Sequence, residues 1–255
     1  MAKQRLKLVI PGSHGLNIAA ILETPELEPK AYVLYAHCFT CGKDNMAASR
    51  ISRGMVAQGF AVMRLDFTGI GASDGEFADS NFSSNVQDLK HCSDYLREHY
   101  QAPSILIGHS FGGAAVLAAA GDIKEVAGVV TIAAPSNPRH VCKQFIDDID
   151  TIETQGEALV SLSGRPFTIK KQFLDDLALQ NQDEKIKKLK KPLLIFHSPV
   201  DQTVLIKEAE HIYNTAMHPK SFVSLDSADH LLTKAKDAQY VSASIAAWVS
   251  LYLSE

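Results

Sequence analysis

The fold of the chain can be inferred from one stretch of sequence, Ser104-Ile105-Leu106-Ile107-Gly108-His109-Ser110-Phe111-Gly112-Gly113-Ala114-Ala115. Its apolar first part predicts a buried strand, and the small residues of 111–120 predict a helix. Between them lies the pattern G-x-S-x-G, with Gly108 and Gly112 on either side of Ser110. Side chains at these two glycines would collide with the neighbouring backbone of a sharp strand-to-helix turn. The pattern therefore predicts a turn that holds Ser110 in a strained backbone conformation.

Ser110 is expected to act as a nucleophile at the positive N-terminal end of the predicted helix. There the backbone N–H of Phe111 would face the negative charge that develops during a reaction. The bare pentapeptide also occurs in unrelated proteins, where it is only a tight structural turn. The predicted strand before it and the predicted helix after it favour the catalytic interpretation.

Short apolar runs alternate with amphipathic segments along the chain. After a hairpin at 6–24, we predict strands at 31–36, 60–67, 104–108, 126–134, 192–197 and 221–225, and helices at 46–58, 83–100, 111–120, 204–217 and 238–253. This alternation predicts an α/β fold with a mostly parallel central sheet and helices on both faces. Catalytic loops in such sheets lie at the carboxyl ends of the strands.

One segment interrupts this alternation. More than fifty residues separate the strand that ends at Ala134 from the strand that begins at Pro192, which is too long for a simple connection. The segment contains a predicted hairpin at 157–170, followed by two helical stretches. We interpret 1–255 as a single domain with a lid inserted at about 136–190. Most of the apolar side chains of the lid are expected to form a small core of its own.

His230 is the predicted general base. In this architecture the nucleophile is followed along the chain by an acid and then by a histidine, and His230 follows the last predicted strand. The other downstream histidines are His140, His197, His211 and His218, and His140, at the root of the lid, is a weaker candidate than His230. His197 is expected to shape its loop, and His211 is expected to lie on the surface.

Asp201 is the predicted acid, because it follows the strand at 192–197. It would accept a hydrogen bond from the base, fix the tautomer of the ring and stabilise the imidazolium. Asp226 and Asp229 are the alternatives. Both lie on the loop of His230 itself, where capping or solvating that loop is the simpler role.

A second backbone donor for the developing negative charge is expected after the strand at 31–36. The loop reads His37-Cys38-Phe39-Thr40-Cys41-Gly42, and the N–H of Phe39 is the best candidate. The four cysteines of the chain, Cys38, Cys41, Cys92 and Cys142, are expected to be thiols in a reducing compartment. Oxidation of the pair beside Phe39 is a hypothesis for regulation, and two ordinary packed thiols are the simpler interpretation.

Composition excludes several classes of function. The net charge is −4 and the isoelectric point is about 6.2, which leaves no basic surface for nucleic acid or anionic membrane. The apolar stretches are too short to span a bilayer, and the run after the basic residues 1–7 is too short for a signal peptide. No metal or cofactor is expected, since Cys38-x-x-Cys41 has no second pair at ligand spacing. We expect a cytoplasmic protein; the sequence does not predict its oligomeric state.

Together these residues resemble the α/β-hydrolase superfamily, in the branch of esterases and monoacylglycerol-lipase-like serine hydrolases. Residues 66–73 are similar to the D-x-R-G-x-G-x-S loop of that branch, with Thr68 in place of the arginine. Residues 197–201 are similar to its H-G-x-x-D loop, with Ser198 in place of the glycine. The superfamily also prefers His-Gly where this chain has His37-Cys38, and the extra side chain would narrow the pocket.

A closer resemblance is to the hydrolase half of bacterial hydrolase–OsmC-like fusion proteins. It is carried by residues 37–41, 66–73, 81–86, 165–167, 172–177 and 218–225. The resemblance implies the roles given above for Ser110, Asp201 and His230, and an oxyanion loop at Phe39. The peroxide-reducing OsmC-like half would follow the last predicted helix, so its activity is not expected of residues 1–255.

The sequence therefore predicts a hydrolase of small or medium acyl esters that works through an acyl-enzyme, with a small-molecule acyl compound as its partner. Thioester, lactone or amide hydrolysis would use the same residues. A non-catalytic binding module on the same fold is the alternative from a different class. The presence of a nucleophile, a base and an acid argues against it.

Overall fold

A computed structural model describes residues 4–253 of the chain and contains ten strands in that range. They are β1 (Gln4–Pro11), β2 (Asn17–Thr24), β3 (Tyr32–Ala36), β4 (Ala61–Leu65), β5 (Pro103–His109), β6 (Gly128–Ile132), β7 (Glu157–Leu162), β8 (Arg165–Lys170), β9 (Leu193–His197) and β10 (Lys220–Ser224). Eight of them form one sheet in the order β1-β2-β4-β3-β5-β6-β9-β10. Within this sheet only the β1–β2 and β2–β4 pairs are antiparallel, and β7 and β8 form a separate antiparallel pair. The predicted α/β fold with a mostly parallel sheet is confirmed.

The helices are α1 (Met46–Ala57), α2 (Phe82–His99), α3 (Phe111–Ala119), α4 (Ile149–Gln155), α5 (Lys171–Ala178), α6 (Gln182–Lys188), α7 (Lys207–Thr215) and α8 (Ala235–Val249). Side-chain caps fix where α1 and α2 begin. The carboxamide oxygen of Asn45 accepts a hydrogen bond from the N–H of Ala48 at the start of α1. Asn81 and Ser84 form a reciprocal capping box at the start of α2.

The sheet is buried on both faces, as expected for parallel strands between helices. In β3, Val33 and Tyr35 belong to the apolar cluster that contains α1 and α8. Leu34 and Ala36 point the other way, into the cluster that contains α2, α3 and α7. This alternation follows from the two-residue repeat of a strand. The loops at the carboxyl ends of the strands therefore start from a sheet that is buried on both faces.

The segment between β6 and β9, residues 133–192, is called the insertion below. It contains the predicted hairpin, now β7 and β8, together with α5 and α6. The sequence did not predict the 3-10 turns of 138–148 or helix α4. No helix within residues 4–253 is both long and apolar enough to cross a membrane. Residues Met1–Lys3 of the basic N-terminal run lie outside the described part of the chain.

The apolar side chains of the insertion do not form a separate core, which corrects the expectation from the sequence. Phe145, Ile169, Phe173 and Leu177 are buried in the same cluster as α2 and α3. Leu159, also expected in that core, is 71% exposed. The physical reason is that so short a segment cannot bury enough apolar surface by itself. The insertion is therefore packed as part of the main body.

Because the insertion shares the core of the main body, two leucine truncations within it should lower the free energy of unfolding by different amounts. Leu177→Ala should lower the free energy of unfolding by about 2–5 kcal/mol, because it leaves a cavity in the shared core. The matched control Leu159→Ala should change it by less than about 0.5 kcal/mol. Urea unfolding followed by circular dichroism measures both values. Equal effects of the two substitutions would contradict the burial described here.

Candidate active site

The turn between β5 and α3 is as sharp as the glycine pattern predicted. Ser110 has a φ of 55° and a ψ of −122°, a conformation that L residues rarely adopt. A Cβ atom on Gly108 would lie 2.3 Å from the carbonyl oxygen of Gly112, and one on Gly112 would lie 2.4 Å from that of His37. The expectation that both positions require glycine is confirmed. The turn leaves the hydroxyl of Ser110 at the N-terminus of α3.

The structure brings Ser110, His230 and Asp201 into one hydrogen-bonded chain. Nε2 of His230 lies 3.0 Å from Oγ of Ser110, and Nδ1 of His230 lies 2.7 Å from Oδ2 of Asp201. An ionised carboxylate can only accept hydrogen bonds, so Nδ1 carries the proton when the ring is neutral. Nε2 is then free to accept the hydroxyl proton of Ser110. This is the protonation pattern that a general base requires.

The surroundings of Asp201 keep its carboxyl group ionised. Burial acts to raise the pKa of Asp201, but hydrogen bonds to its charged form outweigh this effect, so that the pKa lies below its usual value. The donors are His230 and the backbone N–H groups of Thr203 and Val204, the latter two at 2.8 and 3.0 Å from Oδ1. The side chain of Asp201 is completely buried. It therefore presents a fixed negative charge to the imidazole.

Two further buried histidines hold the loops that carry His230 and Asp201. Nε2–H of His109 donates to the carbonyl oxygen of His230 at 2.7 Å, and Nε2–H of His197 donates to that of Val204 at 2.7 Å. Burial lowers the pKa of both rings, that of His109 to about 4. Both rings are therefore neutral at pH 7. The loop-shaping role expected for His197 agrees with this contact; the contact of His109 was not predicted.

The other sequence candidates lie away from the hydroxyl of Ser110. His211 contacts Asp183 on the surface, as expected. Asp229 accepts hydrogen bonds from the backbone of Leu231 and Thr233 within its own loop. The remaining alternatives take no part in the hydrogen-bonded chain: Asp226 contacts Ser224, His218 is exposed before Pro219, and His140 is half-buried. Burial lowers the pKa of His140.

The loop after β3 lies in the same small pocket as Ser110. The pocket has a volume of about 130 Å³ and is lined by Cys38, Phe39, Thr40, Cys41, Ser110, Gln144, Ser163, Thr203, His230 and Leu231. Within residues 4–253, no protein oxygen accepts a hydrogen bond from the backbone N–H of Phe39 or of Phe111. Neither N–H group is engaged by a protein oxygen, and Phe39 itself lines the pocket. The sequence did not predict Gln144 and Ser163, which the insertion contributes, or Thr203 and Leu231.

Cys38 and Cys41 are joined by a disulfide, which corrects the expectation that all four cysteines are thiols. The physical reason is the turn, in which the N–H of Cys41 donates to the carbonyl oxygen of Cys38 and brings the two Cα atoms to 5.3 Å. That separation lies within the range for disulfides. Cys92 and Cys142 are free thiols, as expected, and both are buried. Among the described residues no group of three or more His, Cys, Asp or Glu side chains is arranged to hold a metal ion.

A polar loop after β4 is hydrogen-bonded to Lys43 and to helix α2. Asp66 accepts hydrogen bonds from the backbone N–H groups of Lys43 and Ala72 and from the ammonium group of Lys43. Thr68, where the resembled motif has arginine, donates through its N–H and hydroxyl to Asp88 at 2.9 and 3.0 Å. Burial raises the pKa of Asp88 to about 6, and the bonds from Thr68 act in the opposite direction. Thr68 thus ties the loop to helix α2.

The chain is similar in sequence and fold to known hydrolases. The family described as serine aminopeptidase, S33, matches residues 28–155. The esterase domain of a Rhodothermus marinus protein is 44% identical, with a TM-score of 0.80 over 98% of this chain and 100% of that one. Est1E from Butyrivibrio proteoclasticus, solved with ferulic acid, is 18% identical, with a TM-score of 0.82 over 97% and 100% of the two chains. No curated protein matches the chain significantly.

These similarities define the class. The chain is a hydrolase with the α/β-hydrolase fold. Within that superfamily it belongs to the serine aminopeptidase S33 family, whose match covers half of its length. Est1E, at 18% identity, adds support for the fold alone.

The raised pKa of Asp88 predicts how stability changes with pH. The folded protein keeps this proton up to about pH 6, whereas the unfolded chain loses it near pH 4. The contribution of Asp88 is therefore complete below pH 4 and is lost as the pH rises to 6, by about 3 kcal/mol in total. The stability of Asp88→Asn relative to wild type should rise across this interval in denaturant titrations. The exposed control Asp147→Asn should show no such trend, and a flat difference for Asp88→Asn would contradict the prediction.

Proposed function

We propose that the chain is a serine esterase that hydrolyses small acyl esters through an acyl-enzyme intermediate. In this proposal Ser110 is the nucleophile, His230 is the general base and Asp201 orients the base. The observation that carries the proposal is the continuous hydrogen-bonded chain from Oγ of Ser110 to Oδ2 of Asp201. The 44% identical relative, which is described as an esterase domain, supports it further.

In the acylation step, Oγ of Ser110 attacks the carbonyl carbon of the ester while Nε2 of His230 takes the hydroxyl proton. Asp201 stabilises the imidazolium that forms. The negative charge on the former carbonyl oxygen is stabilised by the N–H groups of Phe39 and Phe111, which have no protein acceptor. His230 then returns the proton to the departing alcohol, and the acyl group remains on Ser110.

Deacylation repeats the same chemistry with water. His230 takes a proton from water, the hydroxide attacks the acyl carbon, and the proton passes back to Oγ of Ser110. The carbonyl of His230 is held by His109, so the ring stays in register with Ser110 during both steps. Each step needs the same two oxyanion donors. Misplacing either donor would therefore slow both halves of the reaction.

The insertion is proposed to act as a lid on a single hydrolase domain. Ser163 and Gln144 from the insertion line the pocket, and the guanidinium of Arg165 donates to the carbonyl oxygen of Thr40. The hairpin is thereby tied directly to the loop that carries Phe39. A pocket of about 130 Å³ is well below the roughly 300–1,000 Å³ of most ligand sites, which favours short acyl groups.

We propose kinship with the hydrolase half of the OsmC-like fusion proteins on the sequence motifs at 37–41, 66–73, 81–86, 165–167, 172–177 and 218–225. The cytoplasmic location and the lack of nucleic-acid or membrane partners stay predictions from composition. The substrate is proposed to be a small acyl ester, and a fluorophosphonate probe distinguishes this function from a binding module.

The first test removes the nucleophile. Ser110→Ala should lower kcat about a million-fold, as in other serine hydrolases, because its hydroxyl is the attacking group. It should also abolish labelling by a fluorophosphonate probe, measured by mass spectrometry. The control Ser250→Ala, on the surface turn after α8, should keep the wild-type kcat and the labelling by the probe. A folded Ser110→Ala variant with less than a tenfold loss of activity would show that another serine is the nucleophile.

The second test concerns acyl length and the hairpin. Wild type should hydrolyse p-nitrophenyl acetate with a kcat/KM at least about tenfold above that for the octanoate, because the longer chain must displace the hairpin. Arg165→Ala should narrow this ratio, since it frees the hairpin from Thr40. The matched control is Lys170→Ala, on the same strand as Arg165. It removes only an exposed ion pair with Asp79 and should leave the ratio unchanged. A wild-type preference for octanoate would contradict the proposed substrate class.

A further inference from the structure

The direction of the Phe39 N–H is set by its partner atom in the same peptide unit, the carbonyl oxygen of Cys38. A peptide unit is planar and trans, so its C=O and its N–H point in opposite directions. Any group that holds the oxygen of Cys38 therefore also aims the N–H of Phe39. That N–H has no protein acceptor and belongs to a residue that lines the pocket of Ser110.

Two donors hold the carbonyl oxygen of Cys38. Nδ1 of His37 lies 2.7 Å from it, and the backbone N–H of Cys41 donates to it at 3.1 Å. Nε2 of His37 accepts from the N–H of Phe67 at 3.2 Å, so the proton of the neutral ring is on Nδ1. Complete burial lowers the pKa of His37, in keeping with a neutral ring. The His37 contact belongs to the buried core and does not depend on the cysteines.

The second donor depends on the disulfide. The bond between Cys38 and Cys41 closes the turn across which the N–H of Cys41 reaches the oxygen of Cys38. Without the bond, this side of the peptide unit is held by one backbone hydrogen bond in a partly exposed loop. The ring of Phe39 is fixed separately, with its centroid 5.0 Å from that of Phe111 and 5.4 Å from that of Phe173. Loss of the disulfide should therefore tilt the peptide unit and leave the side chain in place.

We propose that the Cys38–Cys41 disulfide positions a catalytic donor. It aims the N–H of Phe39 at the negatively charged oxygen that forms when Ser110 attacks the ester. The proposal rests on the esterase function proposed above and adds a dependence on redox state. Cys41 is partly exposed and lines the pocket, so a small dithiol can reach its sulfur. The dithiol gives two electrons and two protons to the protein and leaves as its own cyclic disulfide, while Cys38 and Cys41 become thiols. The reduced enzyme hydrolyses esters more slowly.

The test uses the whole chain in its two redox states. Thiol titration after denaturation should find two thiols in the air-oxidised protein, Cys92 and Cys142, and four after treatment with dithiothreitol and its removal. With p-nitrophenyl acetate, reduction should lower kcat about tenfold and change KM by less than about twofold. Complete loss of one oxyanion donor costs about 10²–10³ in kcat, and a misdirected donor should cost less. An interaction made only in the transition state changes kcat and not KM.

A second measurement reports on the oxyanion site itself. A boronic acid forms a tetrahedral adduct with a catalytic serine, and its affinity should also fall about tenfold on reduction, because the adduct needs the same donors. Reoxidation should restore both values. The Cys38→Ser/Cys41→Ser variant should have the kcat and the boronic acid affinity of the reduced wild type, and dithiothreitol should change neither. The control Cys92→Ala/Cys142→Ala should respond to dithiothreitol as wild type does. A thermal unfolding midpoint above the assay temperature shows that each form is folded. If the serine variant is unfolded, the comparison of oxidised with reduced wild type decides the test.

Three results would overturn the inference. They are four thiols in the air-oxidised protein, an unchanged kcat in protein with four titrated thiols, whatever its KM, and an unchanged affinity for the boronic acid on reduction. If hydrolysis depends on Ser110 but its rate is the same in the oxidised and the reduced protein, this inference is wrong and the proposed esterase function stands. Absence of Ser110-dependent hydrolysis in the oxidised protein would reject the esterase proposal and, with it, this inference.

Discussion

The backbone of Ser110 is held at a positive φ, and most features of the site depend on this constraint. A residue other than glycine adopts this conformation only where the surrounding structure enforces it. Here the enforcement comes from β5 and α3, whose backbones approach so closely that Gly108 and Gly112 have no room for a Cβ. The N–H of Ser110 donates to Ile132 in β6, which fixes the turn to the sheet. The hydroxyl and the N–H of Phe111 are thereby placed together before any substrate binds.

Buried neutral groups bring the rest of the site to this turn. His109 and His197 are too well buried to carry charge at pH 7, and each donates one hydrogen bond to a backbone carbonyl of a loop. An uncharged donor can hold a loop in the interior without the desolvation cost of an ion. The fixed charge of the site is the carboxylate of Asp201, and backbone N–H groups compensate for its burial. Orientation and charge are thus supplied by different residues.

The insertion and the loop after β3 form one packed unit. Phe39 contacts Phe173 of the insertion, and Arg165 of the hairpin donates to Thr40. Motion of the hairpin therefore acts on the same loop that carries the Phe39 N–H. If the disulfide aims that N–H, as proposed, then redox state and substrate admission influence catalysis through one short segment, residues 38–41.

The sequence by itself determined the sheet, the strained turn and the positions of Asp201 and His230 after the ends of strands. These features follow from local patterns: residue periodicity predicts each strand, and parallel strands place their carboxyl ends at one edge. The 3-10 turns of 138–148 have no such period, so they were not predicted. Only the tertiary structure decided the contact of His109 with His230, 121 residues apart, the shared core of the insertion and the closure of the Cys38–Cys41 turn. The physical reason is that propensity and periodicity depend on neighbours along the chain, whereas these contacts depend on which distant surfaces pack together.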